Sequence, residues 1–166
     1  MYDSSKIIYA YSKSLQKCDT NWLNVTLHCK VKGHQSSQYL SRKPIVNALL
    51  KTLSRLSSEF NEGKTLRRMG CWGGSAITKV PQHIHLILEK PTNYDEDCFG
   101  RVFSDYMAAS ASEVFNKRSV ESSVWLRDFD ISENQRAEYF VSYMMRGEGS
   151  VGIDPKKVIV DLLYLN

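Results

Sequence analysis

The sequence predicts an α+β fold: a central, largely antiparallel five-stranded sheet flanked by helices. Three observations predict it. Stretches of two-residue alternation are separated by stretches with apolar residues at helical spacing. Residues 65–73 and 82–89 both read as strands and follow one another across a short loop, as a hairpin does. With 42% of its 166 residues apolar and 24% charged, the chain can bury one core. A single domain over residues 1–166 follows, with a helix at 4–17 as an appendage.

The elements can be justified in order. Residues 4–17 form a short amphipathic helix rather than an export signal, because no basic start, apolar middle and small-residue cleavage site is present. In 22–30, Leu23, Val25, Leu27 and Cys29 alternate with Asn24, Thr26 and His28, the pattern of a half-buried strand. Residues 33–40 are a polar loop. Ser41 then caps a helix with Pro44 in its first turn and Ile45, Leu49, Leu53 and Leu56 at helical spacing, stopped by Asn61 and Gly63. After the two middle strands, 96–115 suits a helix and 121–130 a strand. Residues 132–146 suit a helix ended by Gly147 and Gly149, and an apolar segment closes the chain.

Composition narrows the function classes. No apolar run is long enough to span a bilayer. Cys18, Cys29, Cys71 and Cys98 are scattered without a CxxC pair, which points to free thiols and a reducing, cytoplasmic setting. A net charge of +4 permits a polyanionic partner without naming one. Local clusters are more informative: Lys64, Arg67 and Arg68 precede the second strand pair, and Lys30, Lys32, Arg42 and Lys43 surround the polar loop.

Two constellations carry chemistry. In Pro81-Gln82-His83-Ile84-His85-Leu86, strand alternation sends His83 and His85 to one face and Ile84 and Leu86 to the other. Imidazoles one pleat apart can converge on one divalent cation; taken alone, the pair fits hydrogen-bonded structural histidines better. In Glu138–Gly149, a 100° step per residue gathers Ala137, Phe140, Val141, Met144 and Met145 into a core face and sets Tyr139, Tyr143 and Arg146 together on the other side. Two phenols beside a guanidinium suit phosphoryl transfer. A free phenol ionises near pH 10, so only about one in a thousand is charged at neutrality, and attack on a phosphodiester needs the nonbridging oxygens neutralised. Lateral packing of two surface tyrosines is the plainer alternative.

Together the motifs resemble the HUH endonucleases, and most nearly the nicking domains of rolling-circle replication initiators, over about residues 22–149. Asn24-Val25-Thr26-Leu27 matches the hydrophobic-Thr-Leu strand motif, His83-Ile84-His85 the His-hydrophobic-His motif, and Tyr143-Met144-Met145-Arg146 the Tyr-x-x-Lys motif, with arginine in the place of lysine. The resemblance implies an HUH/Rep-like variant of the ferredoxin-like fold and a metal-dependent enzyme that nicks single-stranded DNA. Magnesium or manganese would be bound by His83 and His85. Tyr143 would be the nucleophile that keeps the 5′ phosphate, with Tyr139 as a second nucleophile or a base-stacking side chain. The family usually adds an acidic ligand from the strand before the histidines, yet residues 64–82 contain no Asp or Glu. Glu62, Gln82, Glu148 or water would complete the shell.

The implied partner is single-stranded or hairpin origin DNA of a phage, plasmid or mobile element, held by Lys64, Arg67, Arg68, Lys30 and Lys32. Trp72 or Trp125 would stack on bases, although both alternate within strands as core residues do. No GxxxxGK[ST] loop is present, so the chain would be either the nicking domain of a longer initiator or a stand-alone nickase, the latter with a helicase or replisome component in trans. Two alternatives stand beside this reading. A catalytically weak origin DNA- or RNA-binding module of the same fold is favoured by the missing acidic ligand. A two-histidine phosphoesterase would need His28-Cys29-Lys30 or His34-Gln35-Ser36 as its second motif.

Overall fold

Alternation in the sequence becomes a sheet with two apolar faces. The structure, a computed structural model, describes residues 3–33, 40–75, 77–115, 120–147 and 152–166. Its elements run α1 (Ser4–Lys17), β1 (Trp22–Val31), α2 (Arg42–Phe60), β2 (Arg68–Ser75), β3 (Val80–Glu89), α3 (Glu96–Val114), β4 (Val120–Phe129) and α4 (Asn134–Met144), followed by 3-10 turns at Pro155–Lys157 and Val160–Leu162. The strands form one antiparallel sheet in the order β2-β3-β1-β4.

Four strands, not five, make up the sheet among the described residues. The outer flank of β2 is instead met by the C-terminal segment, through isolated bridges Arg68↔Tyr164 and Cys71↔Val158. Its backbone N–H groups reach β2 from Ile159 to Gly70 O at 2.8 Å and from Tyr164 to Arg68 O at 2.9 Å. The 3-10 turns between those contacts keep the segment from extending into a ladder. An edge strand is thereby covered without a strand.

One face of the sheet packs on α2 and α3. Leu23, Val25, Leu27, Ile84, Leu86, Leu88 and Trp72 meet Leu49, Leu53, Leu56, Phe99, Phe103 and Met107 there. Burying such side chains contributes about 1.5–3 kcal/mol each. The other face carries Trp22, Met69, Cys71 and Ile87, and α1 and α4 lie over them with Leu15, Ala137, Phe140, Val141 and Met144. Helix α1 is thus an integral part of the second layer rather than an appendage.

Local signals explain the helix ends. Asp3 accepts from Ser5 N at 3.2 Å and Asp95 from Cys98 N at 2.8 Å, each satisfying an otherwise orphaned first-turn donor. Ser41 holds the cap position of α2 without a side-chain bond. That helix ends at Asn61, where Glu62 and Gly63 take φ of 52° and 76° and Gly63 N returns to Ser57 O at 2.9 Å. All four cysteines are free thiols. Among the described residues no helix is long and apolar enough to cross a membrane.

Candidate active site

Helices α1 and α4 do not cover the second face evenly. Register fixes what lies where on it. Cys71, His85, Thr26 and Trp125 form one cross-strand row, and Met69, Ile87, Asn24 and Arg127 the next. Helices α1 and α4 bury the Met69–Ile87 end, while Trp125 and Arg127 on β4 stay exposed. The histidines sit where cover gives way to open surface.

His83 and His85 project from this face, as alternation requires, and their Nε2 atoms are 2.9 Å apart. His83 Nδ1 lies 2.8 Å from Pro81 O. A carbonyl only accepts, so His83 Nδ1 donates to Pro81 O, and between the two Nε2 atoms one N–H donates to the other nitrogen. The ring has room there because β2 presents Gly73 opposite it: a Cβ on Gly73 would lie 2.2 Å from His83 Nε2. Burial, helped by positive charge on His83, His28 and Lys157, pushes the His85 imidazole down to about 4. At neutral pH the His85 imidazole is uncharged.

The 2.9 Å separation is that of an N–H···N hydrogen bond between the two rings. Two imidazoles side by side on one strand face are the donor type a divalent cation accepts once that shared proton is lost. Among the described residues, however, no group of three His, Cys, Asp or Glu side chains forms a metal-binding set. Glu62 sits in the α2–β2 turn, at the end of β2 remote from Gly73, and pairs with Lys64 at 3.4 Å. Gln82 falls on the opposite face from His83, where its Oε1 accepts from Arg42 Nε at 3.1 Å. Neither is positioned as a ligand, and Glu148 lies outside the described residues.

Tyr143 comes to the histidines. Its ring stands edge-on to that of His85, with centroids 5.3 Å apart, and it is 47% exposed. Tyr139, one turn earlier and 73% exposed, has no such neighbour among the described residues; it walls a separate cleft of about 990 Å³ whose described lining includes Trp22, Arg127 and Arg136 but no histidine. The core arc of α4 is the expected one, Ala137, Phe140, Val141 and Met144. The helix ends earlier than expected, so Arg146 lies just beyond it, exposed and bridged through its backbone to Ile153.

The basic clusters divide. Lys30 pairs with Glu121 at 3.3 Å and lines a cleft of about 530 Å³ with His28, Pro81 and Ser123, on the histidine side; Lys32 is exposed in the turn after β1. The second cluster lies at the other end of the sheet and is structural. Arg67 pairs with Glu89 at 3.9 Å, and Arg68 packs over the Tyr164 ring while donating to Leu66 O at 3.0 Å. Of the two tryptophans expected to stack on bases, Trp72 is core at 7% exposed and Trp125 is surface at 51%.

Four residues near the site escaped sequence reasoning in these roles. His28 puts its ring 5.0 Å from that of His83; its place beside the Thr26-Leu27 motif on the same strand face was the available signal. Gly73 is recognisable only once the β2–β3 register is known. Arg127 flanks Trp125 at the i+2 position of β4, a signal that alternation does offer. Lys157 follows an unassigned segment and reaches His85 only through the tertiary fold.

No protein-family model matches the sequence, and no curated protein sequence matches it. One solved structure is similar at a TM-score of 0.38 and 10% identity: a bacterial tRNA(His) guanylyltransferase (Thg1)-like protein in complex with GTP. The match covers 75% of this chain and spans 57% of that one.

Proposed function

We propose that this chain is a metal-dependent nicking endonuclease of the HUH type, which cleaves single-stranded DNA and keeps the 5′ phosphate on Tyr143. The observation that carries the reading is the meeting of a half-exposed phenol with a pair of adjacent imidazoles, Tyr143 edge-on to His85 and His85 Nε2 2.9 Å from His83 Nε2. Surface tyrosines packed for stability have no need of such a neighbour.

The chain's own groups divide the work. His83 and His85 would hold a magnesium or manganese ion, which supplies charge neutralisation at the nonbridging phosphate oxygens. Gly73 and Pro81 O fix the His83 ring, and burial keeps His85 uncharged. Tyr143 Oη attacks phosphorus: the Oη–P bond forms as the P–O3′ bond breaks, the phenol proton passes to solvent, and O3′ takes up a proton to leave as a hydroxyl. Arg146, three residues on, supplies a cation to the phosphate. The free 3′ end can then prime synthesis or be rejoined.

A second reading is a binding module of the same fold, favoured by the absence of a three-member metal set among the described residues. One experiment separates them. Labelled single strands incubated with the protein and manganese should yield an SDS-resistant adduct that EDTA prevents. Salt-sensitive binding without an adduct on any strand selects the binding module.

A further inference from the structure

We propose that Trp125 is the base-stacking residue of the DNA path, gripping a nucleobase one or two nucleotides from the phosphate at His85; this rests on the nicking reading for its register but not for its chemistry. Three observations carry it. Trp125 is a large aromatic side chain left half in solvent on the stretch of β4 that α1 and α4 do not cover, where Ser123 and Arg127 on the same face are exposed too. It shares a cross-strand row with His85, through Thr26. Two strand spacings of about 4.8 Å separate the pair by roughly 10 Å, the reach of about one or two nucleotides of an extended strand.

The third observation is charge. Arg127 holds its guanidinium 5.1 Å from the Trp125 ring centroid, and neither side chain has an ion-pair partner among the described residues. A cation stacked beside an exposed indole is poorly suited to an apolar protein partner, since docking would bury an unpaired charge. It suits a polyanion carrying flat rings: the indole takes a base and the guanidinium a phosphate or the base's other neighbour. Duplex DNA hides its base faces within the stack, so the same pair selects single strands.

The probe is a fluorescein-labelled dT12 strand and an abasic 12-mer of the same backbone, titrated against the full chain by anisotropy. Wild type should bind dT12 more tightly than the abasic strand. Trp125→Ala should weaken dT12 about tenfold and leave the abasic strand unchanged, because the indole meets only bases. Trp125→Phe should recover most of the affinity, which also guards against a folding artefact. Equal dT12 affinity for wild type and Trp125→Ala, or equal losses on both strands, overturns the proposal. Nicking is scored separately: if stacking behaves as described but no adduct ever forms, the nuclease reading fails and this one stands.

Discussion

The Tyr143 phenol ring meets the edge of the His85 imidazole with centroids 5.3 Å apart, while Tyr139, on the same side of α4, reaches no histidine among the described residues. One helical turn advances about 5.4 Å along the axis, enough to carry the second phenol beyond the imidazoles. The two tyrosines are therefore inequivalent, and Tyr143→Phe should abolish the covalent adduct, a loss of at least about a thousandfold. Tyr139→Phe should retain adduct within about tenfold. Gel quantification of adduct on a labelled strand checks both, and the opposite pattern would reassign the nucleophile.

Gly73 offers a test of the metal site that touches neither ligand. A methyl group there would overlap the His83 ring at 2.2 Å, so Gly73→Ala must turn the imidazole away from His85. Manganese affinity, read by calorimetry, should fall about 10–100-fold. Gly70→Ala is the matched control. Its Cβ would meet the Leu162 side chain at 2.7 Å, on the other face, so it should lower thermal stability and leave manganese binding intact. Loss of metal affinity in both variants would reduce the effect to general strain in β2.

Much of this was legible in the sequence, and the reason is local. The alternation of Leu23 through Cys29 and the 3.6-residue spacing of Ile45, Leu49, Leu53 and Leu56 are written into adjacent residues, and the elements formed where those periods run. The same holds for the shared face of His83 and His85 and for the core arc of α4. What escaped depends on register or on distant chain. Arg67 and Arg68 read as a basic patch, yet Glu89 and Tyr164 claim them from 22 and 96 residues away. Glu62 and Gln82 were candidate ligands, but pairing put the first at the far end of β2 and pleating put the second on the wrong face. Trp72 and Trp125 have equal strand patterns, and only the helices over one face decide which is core.

Burial of two thiols sets an alkaline limit on stability. Cys29 and Cys71 are both pushed up to about 12 by loss of solvent. In the unfolded chain they ionise near 9. A raised folded value means the native state keeps protons that the unfolded state has lost, so stability is full below about pH 9 and falls above it. The slope is about 1.4 kcal/mol per pH unit for each thiol between about pH 9 and 12. Denaturant midpoints measured across that range should flatten in a Cys29→Ala/Cys71→Ala protein. At pH 8, a thiol reagent should modify the half-buried Cys18 and Cys98 well before either buried thiol.

The C-terminal segment should prove structural despite its irregular backbone. Leu162 is fully buried against the α2–α3 core, and reciprocal bonds join Arg68 and Tyr164, with Arg68 N to Tyr164 O at 2.6 Å and Tyr164 N to Arg68 O at 2.9 Å. Leu162→Ala leaves a cavity and should cost about 2–5 kcal/mol, measured by urea unfolding. Removing residues 158–166 goes further, since it strips the outer flank of β2 and exposes unpaired N–H and C=O groups on a strand whose Met69 and Cys71 are core. An uncovered edge of that kind pairs with other chains, so the shortened protein should self-associate in a concentration-dependent way by light scattering. A monomeric, cooperatively folding 1–157 chain would show instead that β2 needs no cover and that the segment merely rests on it.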